Sequence, residues 1–436
     1  MHLMTDRHKI KKSQFAKRKS IFAPLTNEEY ELINSFQDRV DEALRLGAKQ
    51  KKETFKAIRE LFEELTSERE SKHTDYLSNP SKLSAYIYYY LWWNLLRFVR
   101  LFNGLSLNIR EGDVIGDFGC GPFSFVLALW IAKPELRDKQ LTFYCVDISD
   151  KAMKAGEEIF NAFISSTTMQ DETRCTDGEK TDMSSTVNRE SNWRIKRVVA
   201  PFGIPLKEKL DFFFSANMFN EICWKNIKNL KIYGEKQASI VDSYLKDSAS
   251  VLIIEPGLPT GGKIVSVFRK FFVNRRGYSV IAPCPHINLC PLHERESMEE
   301  SLPMSKLPRS HARGKWCHFS FSTLTAPKRL AELSAKVHLA KKTASLSFLY
   351  CCKGESRQVE KSSKSEIEVI VTSDIIKLHD ESFGVYACSV LGFLLLTAKN
   401  FARLKLLKSG TYLKIDTKKI GTLHDRKSGA IIVELF

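Results

Sequence analysis

The chain of 436 residues is 43% hydrophobic and 27% charged, the balance of a soluble globular protein long enough for two or three units with their own cores. Its formal charge of +16 points to a polyanionic partner, nucleic acid first and a membrane surface second. Ten cysteines are too few for a disulfide-built secreted domain, and with no export signal their thiols are expected to stay reduced.

Residues 1–24 open with seven Lys or Arg against one Asp in the first twenty positions and are expected to form a basic, flexible tail. No apolar core of a signal peptide follows. From 25 to 105 the pattern is helical. "NEEYELINSFQDRVDEALRLG" and "ETFKAIRELFEELTSERE" space apolar residues by three and four, with Asn27 as the expected N-cap. The apolar run "AYIYYYLWWNLLRFVRLF" is interrupted by Asn94, Arg97 and Arg100, so a buried helix is expected rather than a membrane span.

From 106 to 280 strands and helices alternate: "DVIGDF", "LTFYCVDIS", "RIKRVVAP", "LDFFFSANMF" and "SVLIIEPG" read as strands with helices between them. That alternation predicts an α/β, Rossmann-type doubly wound sheet. The polar stretch 165–192 is expected to be a disordered insertion. Residues 281–436 form the last expected unit, Cys-bearing, basic and partly stranded, with a polar insertion at about 293–313.

Within the α/β unit, Asp117, Gly119 and Gly121 stand in "DFGCG" between a strand and a helix, where glycines let a ligand approach the backbone. Thirty residues on, Asp147 ends the next strand and can accept both hydroxyls of a ribose. A dinucleotide loop would carry a third glycine at position 124, which is Ser here. The D-x-G-x-G form resembles the first motif of class I S-adenosylmethionine-dependent methyltransferases. That resemblance implies S-adenosylmethionine as cofactor on Asp117, Gly119, Gly121 and Asp147. Such enzymes often have glycine where this chain has Phe123, whose bulk is expected to crowd the cofactor. Asn217, Asn220 and Glu221, after the fourth strand, suit hydrogen bonding to a base or capping of a helix; no catalytic residue is identified.

"PCPHINLCP" holds Cys284 and Cys290 on a proline-stiffened loop, and "KWCHF" adds Cys317. A lone nucleophilic Cys284 would leave the other two unexplained. Thiolates converging from separate loops suit Zn²⁺ or an iron–sulfur cluster, with Cys388, Cys351, Cys352, His286 and His318 as candidates for the fourth ligand.

These motifs, with "LIIEPGLPTGGKIVSVFR", resemble the methyltransferase-like small-subunit ribosomal assembly factors of bacteria and mitochondria. The resemblance implies a four-iron, four-sulfur (4Fe-4S) cluster on Cys284, Cys290, Cys317 and Cys388. Cys351 and Cys352 fall where the family has apolar strand residues. It implies binding to small-subunit ribosomal RNA, with methylation of that RNA the favoured activity and a non-catalytic assembly role the competitor. A monomer is expected, with no membrane. The compartment would be the cytoplasm in bacteria and the mitochondrion in eukaryotes. Three differences stand out: 26 residues separate Cys290 from Cys317 where the family's gap is short, Phe321 and Ser322 replace a Gln-Arg pair, and Phe123 replaces glycine.

Residues 399–419 carry seven Lys or Arg against one Asp. They suggest a strand with Phe401, Leu404, Leu406 and Tyr412 inward, and Arg403, Lys405 and Lys408 facing RNA. Their charge is expected to join Arg269, Lys270, Arg275 and Arg276 in one patch.

Overall fold

The computed structural model describes residues 19–45, 47–66, 75–174, 191–292, 315–354 and 365–435. The first described residues are docked, where a flexible tail was expected. Ser20 bridges to Thr411, Ile21 N–H donates to Gly410 O at 3.0 Å, and Ile21 and Phe22 are buried. Two apolar side chains after the basic run are enough to bring the backbone down; residues 1–18 lie outside the described residues.

Helices α1 (Asn27–Asn34), α2 (Phe36–Leu44) and α3 (Ala48–Thr66) follow. The cap of α1 falls on Thr26, one residue before the expected Asn27. Thr26 Oγ accepts from Glu29 N–H at 3.2 Å and Glu29 returns the bond to Thr26 N–H at 2.7 Å. Asn79 caps α4 (Pro80–Ala85), which passes through a π-helical turn at Tyr86–Leu91 into α5 (Trp92–Gly104). This aromatic run is buried, and its polar interruptions find partners. Asn94 donates to Tyr86 Oη, Arg97 to Ser345 O and Arg100 to Ala23 O, at 3.1–3.2 Å. No described helix is long and apolar enough to cross a membrane.

The chain then enters β1 (Val114–Phe118), α6 (Ser124–Ala132), β2 (Leu141–Asp147), α7 (Asp150–Arg174), β3 (Trp193–Val199), β4 (Leu210–Ala216), α8 (Met218–Ile222), α9 (Leu230–Tyr244) and β5 (Leu245–Pro256). The alternation continues through α10 (Pro259–Arg269), β6 (Ser279–Ala282), β7 (Phe319–Ser322), α11 (Lys328–Lys336) and β8 (Thr343–Cys352). The sheet order is β3-β2-β1-β4-β5-β8-β6, with β7 also on β8. The first five strands are parallel, and β8 runs antiparallel to β5. Side chains of alternate parity on the central strands feed two cores. Ile115, Phe143, Phe212 and Ile254 pack toward α5, α6 and α7, while Phe118, Phe213 and Ile253 pack toward α8, α9 and α10. Burial on both faces explains their unbroken apolar runs.

Two expected boundaries move. The α/β sheet does not end at 280, because β8 inserts beside β5 and closes it at Cys352. The helix α7 reaches Arg174, into the segment expected as an insertion; residues 175–190 lie outside the described residues, as does the whole of the expected 293–313 insertion. The last unit is a second sheet of β9 (Glu366–Val371), β10 (Ile376–Lys377), β11 (Phe383–Ser389), β12 (Gly392–Ala398), α12 (Phe401–Leu404), β13 (Tyr412–Asp416), β14 (Ile420–His424) and β15 (Ile431–Glu434). Its strands follow the order β13-β9-β11-β12-β15-β14 with β10 on β11, around a core that includes Val369, Val385 and Leu394.

Candidate functional site

The strand order reverses at β1, between β2 and β4, and a doubly wound sheet opens a crevice at such a point beyond its strand ends. A cavity of about 360 Å³ lies there, walled by Gly119, Gly121, Asp147, Ala216 and Met218 from the sheet side and by Asp75, Tyr76, Leu77 and Tyr86 from the helical unit. Gly119 adopts a left-handed φ of +67°, and a Cβ on it would sit 2.8 Å from Met218 Cβ, so the loop admits only glycine there. Asp147 Oδ2 accepts from Gly121 N–H and Oδ1 from Ser149 N–H, each at 2.9 Å. The carboxylate thus ties the glycine loop to the end of β2. Burial raises its pKa, which Glu221 and Asp75 push further and the two backbone donors oppose.

Asp117 stands elsewhere. It is buried beneath the loop and does not line the cavity, and its Oδ2 has no hydrogen-bond partner. Burial, with Asp147 nearby, holds its carboxyl well above the usual carboxylate range. Phe123 does not crowd the cavity. It caps α6 in a left-handed conformation (φ 61°), is fully buried, and packs where a Cβ on Gly156 of α7 would meet its ring at 2.9 Å. The left-handed backbone turns the ring into the core, so the missing family glycine leaves the cavity open.

At the end of β4, Asn217 adopts φ 60° and lines the cavity. Glu255, on β5 and fully buried, accepts from Phe219 N–H and Asn220 N–H, each at 3.0 Å. It therefore secures the first turn of α8 and is spent on the fold. Glu221 reaches the cavity, 3.5 Å from the Tyr76 hydroxyl, whose pKa burial and Glu221 raise together. Tyr76 and Tyr86 escaped sequence reasoning because the helical unit carries them; Tyr86 had a signal in an aromatic run denser than a core requires, and Tyr76, outside that run, had none.

The thiols gather along α10, away from the cavity. Cys284 and Cys290 lie on the loop after β6 and Cys317 before β7, while Cys388 comes from β11 of the second sheet. Burial raises the pKa of Cys290, Cys317 and Cys388, and the charges of the neighbouring thiols, Cys284 among them, raise them further. The four are therefore neighbours. As placed, no group of three or more His, Cys, Asp or Glu among the described residues could hold a single metal ion. His286 is buried and neutral, its pKa pushed to about 3 by burial and by Arg269. His318 stacks on Trp316 instead, with ring centroids 5.1 Å apart. Cys351 and Cys352 are buried on β8.

Arg269 was expected in a basic surface patch, and the structure overturns this. Arg269 is 3% exposed, and its guanidinium donates to Cys284 Sγ at 3.1 Å, to His286 O at 2.9 Å and to Asn288 O at 2.7 Å. Burial lowers its pKa, but the thiols of Cys284, Cys290 and Cys317 outweigh that and raise it overall. Lys270 is buried too, Arg275 pairs with Glu235, and Arg276 pairs with Asp242, so that patch does not form. The segment after β12 is likewise not an alternating strand. Residues 399–411 are the short α12 and a turn, burying Leu404 and Leu407 at a spacing of three and leaving Phe401 and Leu406 about half exposed, and the strand starts only at β13, which does bury Tyr412. Arg403, Lys405 and Lys408 are exposed on it.

Sheet order, glycine loop and strand-end acid together define an α/β protein of the class I methyltransferase type. Residues 117–377 match the family described as mitochondrial small ribosomal subunit Rsm22. The match spans more than half of the chain, and the chain belongs to that family. A comparison with curated proteins finds no match. Among solved structures, the chain is similar to an S-adenosylmethionine-dependent methyltransferase from Clostridium acetobutylicum (15% identity, 41% of this chain, 54% of that one, TM-score 0.22). It is also similar to one from Aquifex aeolicus (12% identity, 63% of this chain, 94% of that one, TM-score 0.23). A third is a geranyl diphosphate C-methyltransferase from Streptomyces coelicolor (11% identity, 56% of this chain, 73% of that one, TM-score 0.27). The chain spans about half the length of the first. No activity follows for this chain from likeness at that level.

Proposed function

We propose that this protein binds small-subunit ribosomal RNA during assembly, holds S-adenosylmethionine in the crevice of its α/β sheet, and methylates that RNA. The observation that carries the cofactor reading is the sign of the crevice. In a chain of charge +16, Asp75, Asp147 and Glu221 line the cavity, and among the described residues no Lys, Arg or His does. Such a lining suits a sulfonium cation and repels the pyrophosphate of a dinucleotide. Each oxygen of Asp147 has one backbone donor and a lone pair left for a ribose hydroxyl. When bound, the cofactor supplies an electrophilic methyl group. Asp147 and the loop of Gly119 and Gly121 orient it, and Tyr76 and Tyr86 exclude water.

The same reading assigns a 4Fe-4S cluster to Cys284, Cys290, Cys317 and Cys388, with zinc the alternative. The donor set fits: a buried guanidinium with no carboxylate partner among the described residues needs anions, and thiolates would supply them. A single zinc with bonds of about 2.3 Å draws its sulfurs to about 3.8 Å from one another. Metal analysis separates the two, since four thiolates suit either. Arg403, Lys405 and Lys408 are proposed to meet RNA phosphates.

A second reading, binding without transfer, is favoured by one observation: Glu255, the buried carboxylate at the end of β5, lies outside the cavity lining and is consumed in holding α8. Anaerobically purified protein tests both. Calorimetry is expected to detect S-adenosylmethionine binding, and labelled methyl is expected to appear in small-subunit RNA. Binding without label favours the second reading, and no binding at millimolar cofactor ends the first. Iron and visible absorption are expected; neither iron nor zinc would end the cluster reading.

A further inference from the structure

We propose that one face of α10 is the scaffold of the cysteine centre and that Arg269 is its positioning residue, holding the Cys284 loop and offsetting the centre's negative charge. The inference rests on the cluster reading above and adds the residue that orders and tunes it.

Gly262, Ser266 and Arg269 stand at positions i, i+4 and i+7 of α10 and so share a face. A Cβ on Gly262 would meet Cys317 O at 2.9 Å, so glycine lets the Cys317 strand lie directly on the helix. The Ser266 hydroxyl hydrogen-bonds Cys290. Arg269 completes the row with its bond to Cys284 Sγ. Three cysteines from two loops therefore meet one helix at successive turns.

Arg269 does two separable things. Its Nη2 donates to both His286 O and Asn288 O, pinning the residues between Cys284 and Cys290 while Nε holds Cys284 Sγ, a spread of donors over two nitrogens that a single ammonium cannot repeat. Asn274, whose Nδ2 donates to Ile287 O at 2.8 Å, braces the same turn. The charge of Arg269 and its N–H on the sulfur favour the more negative, reduced state of a cluster, since hydrogen bonds to sulfur and local charge set cluster potentials.

The test compares full-length wild type with R269M and R269K, each purified anaerobically. Iron per chain, visible absorption and a dithionite potentiometric titration are measured. Wild type is expected to hold iron. R269M is expected to load less, and the cluster it does hold to be at least tenfold harder to reduce at a given potential, a fall of about 59 mV for one electron. R269K, keeping the charge without the spread of donors, is expected to stay near the wild-type potential but to give up iron faster to a chelator. Should R269M not fold, R269K still decides, because equality with wild type in both potential and chelator resistance overturns the proposal. A loaded R269M at the wild-type potential overturns it equally. A wild type without iron overturns the cluster reading itself, and the inference with it.

Discussion

Asp147 and Asp117 are both buried carboxyls, yet they answer to different demands. Asp147 is held by two backbone donors at the crevice wall. Asp147→Ala is expected to weaken S-adenosylmethionine binding by about 1–3 kcal/mol, roughly 5- to 150-fold in affinity, as calorimetry would read it. Binding unchanged by the substitution would remove the ribose role. Asp117 has an unpartnered oxygen and a pKa raised by burial. A carboxyl raised on folding binds its proton more tightly in the folded state than in the unfolded one. From about pH 3.8 upward to its raised folded value it therefore subtracts from stability, by at most about 1.4 kcal/mol per pH unit. Asp117→Asn removes that titration. In urea unfolding at a series of pH values, the variant is expected to gain on wild type as pH climbs from about 3.8. A constant difference would mean that Asp117 does not titrate as its burial demands.

Elements were legible where one period and one spacing agreed. The strands before "DFGCG" and at Asp147 announced themselves by short apolar runs and a fixed offset of thirty residues, and both stand at the crevice. The strand β8 did not, because both of its faces are buried between β5 and β6 and its Ser and Cys residues blur the apolar run. The basic segment misled for a different reason. Leu404, Leu406 and Tyr412 fit an alternating strand on paper, but one turn of helix buries Leu404 and Leu407 instead. Arg269 misled because a cation at the end of an amphipathic helix ordinarily faces water, and nothing in the local pattern announces a thiol in front of it. What survives is the exposure of Arg403, Lys405 and Lys408. Their triple alanine variant is expected to bind small-subunit RNA more weakly and to flatten the salt dependence by about 0.7–0.9 for each phosphate these side chains neutralise in wild type. Stability should hold, since the buried leucines are untouched. An unchanged salt slope would exclude this face from the RNA interface.

At the scale of the whole molecule, the two sheets meet at the cysteines. Tyr412 of the second sheet donates to Pro283 O at 2.8 Å, next to Cys284, and Ser320 N–H of β7 donates to Ser409 Oγ at 3.0 Å. Arg100 of the helical unit lies over Phe321, 4.2 Å from the ring centroid, and Phe22 packs edge-on against the same ring at 4.9 Å. Three of the proposed ligands hang from the first sheet and Cys388 from the second. A bound cluster would therefore cross-link them, adding to stability because it binds the folded arrangement and not the unfolded chain. Cys388→Ala removes the one proposed ligand of the second sheet while leaving the thiols of the first sheet in place. It is expected to lose most of its iron and about 2 kcal/mol of stability, which lowers the melting temperature of the second-sheet unit by about 8–16 °C. RNA affinity should fall with it, because Arg403, Lys405 and Lys408 ride on the sheet that Cys388 anchors. Removing iron from wild type with a chelator should reproduce both effects and leave the variant unmoved. If Cys388→Ala keeps its iron, the fourth ligand is not Cys388, and the cluster holds the loops of the first sheet alone.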